Sequence, residues 1–282
     1  MTNEQRKAVK AFILRTATEI LSRRKPRGIE ELRMAMPFHL LFFGDDGIVA
    51  AANQRSIVTS MGQVLYPGLA KVVAELNYTQ VVLGRTRSAT GVRGNLDGAK
   101  RSAIDTILSD LYAKRRKPDH EIEMQEIRSA RGGAESEVEV LPDLYVGDFR
   151  PGPLFIELKS PMANLDVSSE SKKKILTYLA IMDRKGVRGA GAFLGLTYNP
   201  DVKREHFKHW PVLQMMDMQR QVLVGEELWD KLGGHGTFQA IVEIIQEVRK
   251  VLEKSSLILS RRIFSVKAVK QSHEPSACLD GT

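Results

Sequence analysis

The segment 142–159, PDLYVGDFRPGPLFIELK, holds two short apolar runs around a turn rich in proline and glycine. Arg150-Pro151-Gly152-Pro153 is the turn. Upstream, Glu137-Val138-Glu139-Val140 alternates with the period of a strand, and the strand is expected to continue through Leu144-Tyr145-Val146. Residues 154–158 form the second strand, and the two make a hairpin. Helical spacing returns over residues 169–184, with Ile175, Leu176, Leu179 and Met182 on one face, and residues 190–197 (AGAFLGLT) read as a short buried strand. Strand, strand, helix, strand is an α/β nucleus.

Alternate residues of a strand share a face. Glu157 and Lys159 therefore point together, away from Ile156 and Leu158, and the turn brings Asp143 back toward them. Two carboxylates and an ammonium in this arrangement suit phosphodiester hydrolysis. Asp143, Glu157 and the Leu158 carbonyl are oxygen donors of the kind Mg²⁺ takes. A bound ion makes its water more acidic and polarises the phosphate, while Lys159 positions that water, helps deprotonate it or stabilises charge. An acid pair followed by a lysine also arises by chance, as two strand-end acids and a surface lysine. Its placement on a hairpin, ahead of a helix, favours the catalytic reading.

The rest of the chain fits around this nucleus. Residues 2–24 read as a helix with Val9, Phe12, Ile13, Ala17, Ile20 and Leu21 on one stripe, Thr2 and Gln5 forming a capping box, and Lys25-Pro26-Arg27-Gly28 ending it. Residues 48–77 are helical with a break at Tyr66-Pro67-Gly68, and residues 84–95 (GRTRSATGVRGN) are a loop. Helices follow at 97–114 and 119–131, then a strand and short helix at 222–234 and a long helix at 237–254. The division expected is a mainly helical region over 1–135 that binds DNA and dimerises, a catalytic core over 136–255, and a loose tail over 256–282.

The net charge of +8 suits a polyanionic partner. Nine basic residues lie between Arg85 and Lys117 against three acids, and acids then dominate to Asp143. Arg85, Arg87 and Arg93 on the glycine-rich loop are candidate guanine readers. Lys172, Lys173 and Lys174 are candidate phosphate contacts, and Asn164 a candidate contact to a base edge or phosphate. Asp148 points away from Asp143. Glu126 reads as a solvated acid, His39 as a core histidine, His206 and His209 as a weak metal pair, and Trp210 and Trp229 as core. One cysteine, Cys278, excludes a disulfide framework and a cysteine-based metal site. No apolar run of membrane-spanning length is expected and the first ten residues are charged, so the expectation is a cytoplasmic protein with no membrane partner.

The hairpin and helix resemble the PD-(D/E)xK nuclease superfamily, with Asp143, Glu157 and Lys159 on its motif. More narrowly, Pro37-Phe38-His39-Leu40 with Gly44, Glu157-Leu158-Lys159-Ser160-Pro161 with Asn164, and Ser171-Lys172-Lys173-Lys174-Ile175-Leu176 are similar to type II restriction endonucleases of the TdeIII type. The resemblance spans about residues 1–255. It implies a restriction-endonuclease-like fold with a mixed central sheet flanked by helices, Mg²⁺-dependent cleavage of double-stranded DNA at a short GC-rich palindrome, GGNCC, and a cognate methyltransferase. A palindrome has two-fold symmetry, which a homodimer matches. The competing readings are a structure-specific or repair nuclease and a non-catalytic DNA-binding protein of the same fold.

Overall fold

The computed structural model describes residues 1–23, 27–84 and 91–255. Arg85, Arg87, the Lys25-Pro26 break and the tail 256–282 lie outside the described residues. The chain divides into two compact units, one of Met1–Thr16 with Met61–Val248, the other of Ala17–Ser60 with the chain from Arg249 onward.

The first unit is built on a five-stranded sheet in the order β1 (Val81–Val82), β4 (Leu144–Val146), β5 (Leu154–Lys159), β6 (Gly191–Leu196), β7 (Val222–Val224). β4 pairs antiparallel with β1 and β5, and β5, β6 and β7 run parallel, so the sheet is mixed as expected. A parallel pair needs a crossover, and α7 (Leu165–Arg184) supplies it between β5 and β6. Leu154, Phe155 and Ile156 are fully buried, which a strand covered on both faces requires. Tyr178 of α7 stacks on Phe155 at 4.8 Å between ring centres. Burial of side chains this size contributes roughly 1.5–3 kcal/mol each. Around α7 pack α5 (Gly98–Tyr112), α6 (His120–Ser129) and α8 (Trp210–Met215), while α4 (Tyr66–Ala74) packs on α9 (Glu226–Gly233). Arg6 and Lys10 of α1 (Asn3–Ser22) pair with Glu243 and Glu247 of α10 (Thr237–Lys254). The Thr2–Gln5 capping box is present, with bonds of 2.8 and 3.3 Å.

The expected strand through 137–146 is two strands. β3 (Ser136–Val140) belongs to a separate two-stranded sheet with β2 (Val92–Leu96), and β4 begins after Asp143. Pro142 has no N–H for a ladder, and the chain changes sheets there. The expected loop 84–95 correspondingly ends in β2. Gly94 lies within that strand because Ile181 passes over it, where a Cβ would meet Cγ2 at 2.5 Å.

In the second unit, α2 (Ile29–Ala35) and α3 (Pro37–Ser60) are joined by a two-pronged ion pair of Arg33 with Asp45, at 2.9 and 2.6 Å. That contact holds the Asp45 carboxyl below its ordinary range. α3 starts eleven residues earlier than the pattern indicated, with Gly44 (φ 62) interrupting it and a π-helical turn, Met61–Leu65, following its end. Met34, Phe38, Leu41, Phe42 and Phe43 are exposed, and so is His39, which is not the core histidine expected. The helical stretch Pro37–Ala74 is long and apolar enough by length and composition to cross a bilayer, although Asp45-Asp46 and Asn53-Gln54-Arg55 interrupt its apolar residues, so that no continuous apolar run of that length occurs in it. Trp229 is core as expected, but Trp210 is 57% exposed.

Candidate active site

The β4–β5 pairing sets Leu144 opposite Ile156, which leaves Asp143 beside Glu157 and Leu158 at the end of the hairpin. The Leu158 N–H donates to Asp143 Oδ2 at 2.9 Å and fixes that carboxylate. Lys159 reaches back along its own strand face, with Nζ 2.5 Å from Glu157 Oε1, 3.3 Å from Asp143 Oδ2 and 3.3 Å from the Leu158 carbonyl oxygen. Asp143 and Glu157 are 5% and 2% exposed. Burial pulls the Lys159 ammonium down, but Glu157 and Asp143 outweigh it and hold its pKa above the ordinary lysine value.

A second ammonium completes the cluster. Lys174 of α7 donates to Glu157 Oε1 at 2.9 Å. Glu157 Oε1 thus accepts from two lysines, while Oε2 is buried and has no hydrogen-bond partner. A buried carboxylate oxygen left unbonded calls for an explanation. Two carboxylates, one of them with this unbonded oxygen, and the Leu158 carbonyl form a hard, anionic donor set that fits Mg²⁺.

The sequence model of the family "Type II restriction endonuclease, HinfI" matches residues 1–249. The chain belongs to the HinfI family of type II restriction endonucleases. It is 28% identical over 230 residues to the type II restriction enzyme HgiCII of Herpetosiphon aurantiacus, covering 80% of this chain and 81% of the relative. HgiEI of the same organism is 26% identical over 75% of this chain and 76% of its own. MjaII of Methanocaldococcus jannaschii is 27% identical over 76% of this chain and 63% of its own. No solved structure matches. A site-specific DNA-cleaving restriction enzyme is the activity this kinship supports.

Elsewhere in this HinfI-family enzyme the candidate DNA contacts separate. Asn164 caps α7, its Oδ1 accepting from the Val167 N–H at 2.8 Å, with the side chain exposed. Lys173 is exposed and pairs with Asp105 at 2.8 Å. Lys172 is not a phosphate contact. It is fully buried, with Nζ 2.7 Å from Glu123 Oε2 and 2.6 Å from Gln221 Oε1. Desolvation pushes its pKa down and that of Glu123 up, against the attraction between them. Arg93 stands on β2 rather than in a loop and is held by Glu139 at 3.1 Å.

Other readings from the sequence resolve similarly. Asp148 accepts from the Thr79 and Gln80 N–H groups and the Thr79 hydroxyl, and bonds to none of Asp143, Glu157 and Lys159 in doing so. Glu126 is paired by Arg116 at 2.8 and 2.9 Å. His209 bonds the Ala163 carbonyl, and no group of three or more His, Cys, Asp and Glu gathers among the described residues. One glycine bears on the site from outside it. A Cβ on Gly84 would stand 1.8 Å from the Pro142 carbonyl oxygen, so only glycine lets these backbones meet.

Proposed function

We propose that this enzyme is a Mg²⁺-dependent endonuclease of the PD-(D/E)xK kind, with Asp143, Glu157 and Lys159 as its catalytic residues. The observation that carries the reading is the pairing of Asp143 and Glu157 under Lys159, with Glu157 Oε2 buried and unbonded. Asp143, Glu157 and the Leu158 carbonyl would hold the ion, which when bound supplies charge neutralisation and a more acidic water. Asp143 is oriented for this by the Leu158 N–H. Lys159, kept charged by its carboxylates, donates to the scissile phosphate where negative charge develops. The buried face of β5 keeps the carboxylates rigid and excludes bulk water from behind them.

In this reading the substrate is double-stranded DNA at a short palindrome, GGNCC being the first sequence to test, and the enzyme acts in the cytoplasm as a homodimer beside a cognate methyltransferase. Each chain carries one catalytic set, and a duplex has two strands, which supports the dimer. Residues 1–135 would supply much of the DNA and dimer contacts and 136–255 the chemistry.

The test is digestion of unmethylated plasmid with Mg²⁺ or with EDTA, followed by sequencing of the cut ends. Discrete fragments in Mg²⁺ alone, with one sequence at every end, are expected. Structure-dependent nicks, or intact DNA, would overturn the reading.

A further inference from the structure

Beside the loop that leaves the catalytic strand, the structure exposes an aromatic ring with a cation over it. Trp210 opens α8 at 57% exposure, and Lys114 Nζ stands 5.5 Å from the centre of its ring. Lys114 follows the end of α5 with φ 57, in the left-handed region that non-glycine residues rarely adopt. The other tryptophan shows what a structural one does in this fold. Trp229 is 3% exposed and donates from Nε1 to the Thr197 carbonyl at 2.8 Å.

The pair is fastened to the catalytic surroundings by hydrogen bonds. Gln214 of α8 donates to the Leu111 and Tyr112 carbonyls at 3.0 and 2.8 Å, joining α8 to the end of α5. The Tyr112 hydroxyl donates to Asp166 in the first turn of α7 at 2.8 Å. His209 Nε2 lies 2.6 Å from the Ala163 oxygen, and a carbonyl only accepts, so the imidazole donates. Ala163 is four residues beyond Lys159, at most about 14 Å along an extended chain. Bases on one strand rise about 3.4 Å each. Ala163 thus stands within about four base steps of Lys159, and the His209 bond ties the start of α8 to that loop.

The nearby charges are unevenly committed. Arg115 is held by Asp110 and Arg116 by Glu126. Lys114 and Lys117 pair with no carboxylate among the described residues. An exposed aromatic ring beside cations that pair with no carboxylate fits a phosphate backbone and the sugar and base edges beside it.

We propose that Lys114, Lys117 and Trp210 form a duplex-DNA contact next to the cleavage site, the lysines on phosphates and the indole against adjoining sugar and base edges. The inference rests on the DNA-cleaving reading above, and its test separates the two. Two end-labelled duplexes of equal length are titrated in Ca²⁺ without Mg²⁺, one carrying a cut site mapped with the wild type, one of random sequence. Tryptophan emission and label anisotropy are followed together, and thermal unfolding checks each variant.

Binding should quench and shift wild-type emission, and Trp210→Phe should abolish that response while keeping most of the affinity. Trp210→Ala should weaken binding to both duplexes measurably. Lys114→Ala should weaken both duplexes alike and lower the salt slope by about one. If the wild type binds and cuts but its emission does not respond, and folded Trp210→Ala and Lys114→Ala bind as the wild type does, the contact is overturned and the nuclease reading stands. If the wild type neither binds nor cuts DNA, both are overturned.

Discussion

Glu157 gives one carboxylate oxygen to two lysines and leaves the other unbonded in a buried place. Glu157→Gln keeps the shape and removes the charge, as does Asp143→Asn. Each should lower Mg²⁺-dependent cleavage by about a hundredfold or more while duplex binding in Ca²⁺ persists; substantial cleavage by either would remove these residues from the site. Lys174 allows a sharper separation. If it holds Glu157 and the phosphate by charge, Lys174→Met should lower kcat about tenfold or more with little change in KM, and Lys174→Arg should restore part of it. A change in KM alone would instead make it a binding residue. The gathering of Asp143, Glu157 and Lys159 was legible, because strand period puts Glu157 and Lys159 on one face and the turn brings Asp143 back to them. The role of Lys174 was not, since residues 172 and 174 lie about 200° apart around a helix and a lysine run says nothing of which one faces the site. The fate of Lys172 could have been found, because it falls on the same helical stripe as Ile175, Leu176 and Leu179.

α7 is anchored by the most buried ion pair among the described residues of the first unit, Lys172 with Glu123 of α6. Lys172→Met leaves a buried carboxylate without its partner and should destabilise by about 3–5 kcal/mol. Replacing both, as Glu123→Leu with Lys172→Met, should recover most of that loss, because two desolvated charges disappear together. Denaturant melts of the three proteins give the comparison, and a double variant as weak as the single one would show that Gln221, which bonds both members, depends on the pair. The Asp148 clamp on residues 79–80 carries a pH signature. Its carboxyl is held below the ordinary 3.8, chiefly by the Thr79 N–H. A lowered carboxylate contributes stability above its unfolded value and loses it as pH falls through the folded one. The difference in melting temperature between wild type and Asp148→Ala should be constant above pH about 5 and vanish in acid below both values. A gap that persists there would mean the clamp does not act through ionised Asp148. Most elements were readable, α10 to the residue, because their periods are strong. The passage from β3 to β4 was not, since alternation continues across Pro142 and only tertiary pairing reveals the change of sheet.

Across the whole molecule, a count of basic residues along the sequence overstates how many cations are available to DNA. Of the basic residues from Arg93 to Lys117 that are described, most are held by carboxylates or carbonyls. Binding should still fall with salt, at about 0.9 per phosphate contact in log–log terms, and near-independence would argue against DNA as the partner. Which cations are committed is decided by packing and lies beyond any count along the chain. The same holds for Gly84, distant in sequence from the catalytic motif and touching no substrate group in the proposed reaction. Its backbone rests on the Pro142 carbonyl, so a methyl group there would push on the residue next to Asp143. In a library of single substitutions selected for cleavage in cells, position 84 should be as empty as position 143. The footprint of selection on this enzyme will extend past its chemistry, to a place where the only permitted side chain is a hydrogen atom.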